Sequence, residues 1–174
     1  MKKLLSFAVL FVVAAVSLQA CAQEDKSKRP SPPATASVTT EKGVNITIDY
    51  SQPALKGRTI GKDLEPMAGK VWRTGANEAT VFTIDKDVKV EGKTLPAGKY
   101  GLFTIAGANQ WTIIFNKTWK QWGAFGYKQA DDALRVTVTP GSSATAVERF
   151  TITADKSGKV SLLWGNFNVA FDVK

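Results

Sequence analysis

The feature that most constrains this chain is a short run of alternating apolar and polar residues, first seen in Val44-Asn-Ile-Thr-Ile-Asp-Tyr50. Successive side chains of an extended strand point to opposite faces, so such a run suits a sheet with one buried and one wet face. Ala79 to Ile84, Tyr100 to Ile105, Trp111 to Phe115, Leu134 to Val138, Val147 to Thr153, Val160 to Trp164 and Phe167 to Val173 repeat the theme. Turn formers separate them: Glu91-Gly92-Lys93, Gly107-Ala-Asn109, Asp155-Lys-Ser-Gly158 and Gly165-Asn166. The last is two residues long, the length of a tight hairpin. Past the N-terminal region no long amphipathic helix is apparent, and only a short helical turn is expected around Lys128 to Ala133. The pattern predicts an all-β fold, an antiparallel β-sandwich of roughly 8–10 short strands, with jelly-roll and Ig-like topologies both open.

The sandwich does not take up all 174 residues. Lys2 and Lys3 precede an apolar run from Leu4 to Leu18, the layout of a secretory signal spanning residues 1–20. Leu18-Gln19-Ala20-Cys21 resembles a lipobox in which Cys21 accepts a lipid, although Gln19 is larger than is usual there; Ala20-Cys21-Ala22 also reads as an ordinary cleavage site that leaves a soluble chain starting at Gln23. The expected location is the periplasm or the outer membrane as a lipoprotein, with a soluble periplasmic or extracellular protein as the alternative. Residues 21–33 are charged and proline-rich with little to bury, which predicts a disordered, solvated tether. A single domain then covers residues 34–174. Cys21 is the only cysteine, so no disulfide can form within the domain and packing must stabilise it.

Composition excludes several chemistries. The chain has no histidine, which removes Ser-His-Asp and Cys-His catalysis and every histidine-containing metal site. No metal site and no cofactor are expected. Gly57-Arg-Thr-Ile-Gly61-Lys62-Asp63 is one residue too short between its glycines for a P-loop, and Asp63 stands where a hydroxyl should hold magnesium. Gly92-Lys93-Thr94 ends correctly, but Asp87 replaces the leading glycine. The net charge is +8, or +6 without Lys2 and Lys3, and the lysines are scattered. Attraction to anionic envelope surfaces is expected, and nucleic acid is not an expected partner.

Two stretches have the residue types of a binding site. Gly69-Lys-Val-Trp-Arg-Thr-Gly-Ala-Asn-Glu-Ala-Thr80 sets Trp72, Arg73, Asn77 and Glu78 close together. Alternation places Val71 and Arg73 on one face and Trp72 and Thr74 on the other. Gly75 permits a turn that returns Asn77 and Glu78 to the side of Arg73, with Arg58 as a further member of the cluster. Guanidinium, amide and carboxylate together suit a polar ligand such as a sugar or a carboxylated small molecule. A polar latch at a sheet corner explains the same residues without a ligand. In Asn116-Lys-Thr-Trp-Lys-Gln-Trp-Gly-Ala-Phe-Gly-Tyr127, four aromatics alternate with lysines and glycines. Trp119 and Trp122 either present faces to a sugar or anionic partner or close one end of the core. Glu78 and Glu148 are the only carboxylates worth testing as a hydrolytic pair. Desolvation would raise a carboxyl into the range of an acid catalyst, whereas pairing with Arg73 and Arg149 would make each structural.

Tyr50-Ser-Gln-Pro-Ala-Leu-Lys-Gly-Arg58, the Gly69 to Thr80 stretch, Leu95-Pro-Ala-Gly-Lys-Tyr-Gly-Leu-Phe103, Trp111-Thr-Ile-Ile-Phe-Asn116 and Val147-Glu-Arg-Phe150 resemble the domain of unknown function 2911 family. These are secreted bacterial proteins common in Bacteroidetes, and the likeness covers about residues 31–174. The resemblance implies export and a β-rich fold, and it brings no catalytic residues.

Three functions follow as expectations. The leading one is a non-catalytic, envelope-associated binding module for a polar small molecule or glycan. A structural or assembly protein docking an unknown protein partner is the second, and a carboxylate-based hydrolase the third. Anchoring through Cys21 would make the membrane a partner in each case.

Overall fold

A computed structural model describes residues 25–174. The signal-like segment, Cys21 and the start of the tether therefore lie outside the described residues. Eleven strands dominate: β1 (Pro33–Thr39), β2 (Asn45–Ser51), β3 (Val71–Trp72), β4 (Thr80–Ile84), β5 (Val88–Val90), β6 (Lys93–Leu95), β7 (Gly98–Ile105), β8 (Trp111–Asn116), β9 (Asp132–Val138), β10 (Gly141–Ala154) and β11 (Lys159–Asp172). Among the described residues helix is limited to two 3-10 turns, Lys26–Lys28 and Gln129–Asp131, the second where a short turn was expected.

The larger sheet runs β1-β2-β4-β7-β8-β9, with β3 added beside β7, and every pairing is antiparallel. The β10–β11 ribbon forms the second layer, and β5–β6 makes a small separate hairpin. Alternation works as expected: Ile46, Ile48 and Tyr50 of β2, Phe82 and Ile84 of β4, and Ile113 and Phe115 of β8 all point inward. They meet Phe150, Ile152, Leu162, Trp164 and Phe171 from the ribbon in one continuous core. The all-β sandwich is thus the observed architecture, with more strands than expected because β1 and the short β3, β5 and β6 add to the regular set.

One strand boundary differs. Gly165-Asn166 is not a hairpin; β11 runs through it. The buried positions change phase there, from Val160, Leu162 and Trp164 to Val169, Phe171 and Val173. Gly165 absorbs the change in the left-handed region at φ 54°, and β10 answers with register shifts between Ser142, Val147 and Thr151. A β-bulge breaks alternation just as a turn does, so the sequence signature is shared.

A smaller cluster lies on the opposite face of β7 and β8. Ala79, Phe103 and Ile114 are buried there beneath Ala124 and Tyr127 of the 117–127 loop, with the Tyr127 ring 5.2 Å from Phe103. That loop therefore covers the back of the sheet. It does not close the end of the main core.

Candidate functional site

The turn that follows β3 is fixed from below by Trp72. Its ring is 2% exposed, stacks on Trp164 at 5.4 Å and meets Phe150 edge-on at 5.1 Å. Its indole N–H donates to the Gly75 carbonyl at 3.0 Å. Buried hydroxyls complete the frame: Thr80 Oγ1 donates to Thr74 O at 2.6 Å, and Thr74 Oγ1 donates to Thr104 Oγ1 at 3.3 Å. Gly75 packs so closely that a Cβ would stand 3.0 Å from both Ser51 O and Thr80 Oγ1. Trp72 thus holds the site from within the core and offers no surface to a ligand.

Above this frame lies a cleft of about 260 Å³ whose polar walls are Arg58, Arg73, Asn77, Glu65 and Ser31, with Trp164 at its apolar side. The predicted face assignment holds: Trp72 and Thr74 point into the core, while Arg73 is only half-buried. Arg73 Nε is buried without a hydrogen-bond partner among the described residues, and so is the indole nitrogen of Trp164. Burial lowers the Arg73 pKa, against the opposing charge of Glu65. Glu65 itself accepts from the Met67 N–H at 2.8 Å. Arg58 is pinned at the rim by donating to Ala54 O at 2.8 Å and Leu55 O at 3.1 Å. Asn77 donates to Ser31 O at 3.0 Å. The cleft is therefore rich in donors and poor in acceptors.

Glu78 is not part of it. Its carboxylate turns to the N-terminal segment, 2.8 Å from Lys26 Nζ and 3.0 Å from Arg29 Nη1, beside a smaller cavity of about 150 Å³. The expected Arg73–Glu78 pair does not form. Burial raises the Glu78 pKa, but hydrogen bonds from Lys26, the backbone and Arg29, with the charge of Lys26, bring it down to about 2. A carboxyl held ionised in this way is unsuited to donate a proton near neutrality. Glu148 is exposed and accepts the Lys56 N–H at 2.8 Å; Arg149 donates instead to Gln52 O. The expected Glu148–Arg149 pair is likewise absent from the described residues.

The segment ahead of β1 also departs from the solvated-tether expectation. Residues 25–32 dock through the Lys26 and Arg29 contacts, the Ser31 carbonyl and a hydrogen bond from Gln52 N to Pro32 O. Local composition does not reveal this, since the carboxylate that attracts both cations lies about fifty residues along the chain. Trp119 is half-buried with Lys99 Nζ 5.3 Å above its ring, and Trp122 is 57% exposed with Arg29 at 5.9 Å.

Sequence reasoning thus brought Arg58, Arg73 and Asn77 together and missed Glu65, Ser31 and Trp164. Trp164 carried a usable signal, as a tryptophan at an inward position of a strand. Glu65 and Ser31 sit in irregular segments without periodicity.

Fold and cleft together define an all-β sandwich with a cationic depression beside the β3 turn. The chain belongs to the family described as "Protein of unknown function (DUF2911)", which matches residues 31–173. No curated protein and no solved structure matches the chain.

Proposed function

We propose that this protein is a non-catalytic binding module for a small molecule that carries a carboxylate, with sugar acids as the class best suited to the cleft. The observation behind this is Arg73, a partly buried guanidinium whose Nε has no hydrogen-bond partner among the described residues and which lies in a cleft shared with Arg58 and Asn77. A buried donor left unpaired is costly, and a planar carboxylate is the partner whose geometry a guanidinium matches best. Asn77 and the Trp164 edge supply the further polar and apolar contacts that a sugar ring would use. The chain acts at the cell envelope after export, anchored by a lipid on Cys21; the support is the Lys2–Lys3 and Leu4–Leu18 layout followed by the lipobox-like Leu18 to Cys21.

The test is a thermal-shift comparison of the purified protein with glucuronate, glucose and acetate, run beside Arg73→Met. A ligand that binds the folded state raises the melting temperature by an amount that grows with its concentration over its dissociation constant. Glucuronate should stabilise the wild type and leave Arg73→Met unmoved, with glucose inert. Equal shifts in both proteins would place binding elsewhere, and no shift with any carboxylate would remove the reading. Labelling of the wild type but not Cys21→Ser by a radioactive fatty acid tests the anchor separately.

A further inference from the structure

The 117–127 loop has a second surface that the cleft does not use. Its inner side is fixed: Ala124 and Tyr127 pack on Phe103 and Ile114, Gly123 N donates to Asn77 O at 3.0 Å, and Ala79 N donates to Gln121 O at 3.0 Å. Its outer side presents Phe125, 90% exposed, and Trp122, 57% exposed. These are two of the three large apolar side chains so displayed among the described residues. Holding a phenylalanine in water on a braced loop has no folding advantage, since Phe125 contributes nothing to either core.

Charge indicates what covers it. Lys117, Lys120 and Lys128 flank the two aromatics, and no Asp or Glu lies between Lys117 and Lys128. All three lysines are exposed. The nearest acids in sequence are already engaged: Asp131 accepts from Thr118, and Asp132 pairs with Arg135 and accepts from Tyr127. Exposed Phe and Trp among lysines on a rigid support suit the headgroup region of an anionic bilayer, where rings enter the acyl boundary and ammonium groups remain at the phosphates.

The chain also enters the domain here. Glu78, which bridges to Trp122 through the backbone, holds Lys26 and Arg29, and Arg29 lies over the Trp122 ring. The five residue steps from Cys21 to Lys26 span at most about 18 Å. A lipid on Cys21 would keep this loop, rather than the far side of the sandwich, within reach of the membrane. We propose that Phe125 and Trp122, with Lys117, Lys120 and Lys128, form a membrane-surface contact that inserts into the headgroup layer of an anionic bilayer. The contact is independent of what the cleft binds, and the lipid anchor adds reach without being required.

The test places an added indole at the tip. The full chain carrying Phe125→Trp is reconstituted in vesicles of phosphatidylethanolamine and phosphatidylglycerol whose acyl chains bear bromine, and its emission is compared with that of the unsubstituted chain in the same vesicles. The added emission should shift to the blue and lose most of its intensity to bromine quenching. The loss should weaken in neutral phosphatidylcholine vesicles and in the background of Lys117→Glu with Lys120→Glu. Vesicle-bound chain whose added indole emits as in water, unquenched, would overturn the proposal. A blue shift without quenching would also overturn it, since a protein surface or a second copy of the chain would then be what covers the loop.

Discussion

Arg73 and Glu78 stand five positions apart on one turn and meet opposite fates. Glu78, whose side chain is 40% exposed, has two cations within 3.0 Å, and those contacts draw the N-terminal segment onto the domain. Arg73 is the more buried of the two and has no ion pair or hydrogen bond to its side chain among the described residues. Where a charge has been given partners, it explains a piece of structure. Arg73, half-buried, has a buried Nε with no acceptor among the described residues and only the charge of Glu65 to oppose its own, so folding alone leaves that donor unexplained, because a buried donor without a partner is costly.

The largest effect should come from removing what holds both arms of the comparison. Trp72→Ala takes a stacked, buried ring from beneath the turn and is expected to cost about 3–5 kcal/mol, read as a shift in the denaturant midpoint. Both the cleft and the N-terminal docking should weaken with it.

The two arms should then separate. Arg73→Met exchanges an unpaired guanidinium for an apolar side chain of similar length, so stability should hold or rise by about 1 kcal/mol while carboxylate affinity falls at least about tenfold. Glu78→Gln should do the reverse, exposing the segment to proteolysis at Lys26 and Lys28, while Ser31 stays held by Asn77 in the cleft wall and carboxylate affinity is retained. Its stability cost should stay within about 1 kcal/mol, as for other exposed ion pairs. If Arg73→Met is the more destabilising of the two, the contrast fails.

Acid should undo the Glu78 docking. Its pKa is depressed from 4.5 to about 2 on folding, so the docking contribution is complete above the unfolded value and is lost as pH falls from 4.5 towards 2. In the folded protein the NMR shifts of residues 26–31 should therefore remain constant down to about pH 3 and move as the pH approaches the folded pKa of about 2. The smallest expected effect is at Glu65, whose charge partly offsets that of Arg73. Glu65→Gln should strengthen carboxylate binding about two- to fivefold without altering the docked segment, measured by calorimetry.

The same contrast explains what was legible in the sequence. Periodicity made β2, β4 and β9 readable, because alternation is a local property, whereas β7 and β8 bury both faces and show as near-continuous apolar runs. It also placed Arg73 opposite Trp72 correctly. Pairing is not local. Nothing within ten residues of Glu78 indicates that Lys26 and Arg29 will reach it, and Arg73 looked like its natural partner on proximity in sequence alone. Gly165 misled for a related reason, since a bulge and a turn both interrupt alternation and only the partner strand distinguishes them. Of the walls that sequence reasoning missed, Glu65 and Ser31 belong to segments without periodicity, and Ser31 is held by Asn77, 46 residues along the chain.

The most direct measurement is the side-chain Nε–H resonance of Arg73, followed by NMR as glucuronate is added, with Arg29 as the internal control. Arg29 already holds Glu78 at 3.0 Å and should stay in place. Carboxylate binding in the cleft predicts a saturable shift at Arg73, with slowed exchange of that proton as the ligand occupies the site. A titration in which Arg73 does not move, or in which Arg73 and Arg29 drift together without saturation, would contradict it.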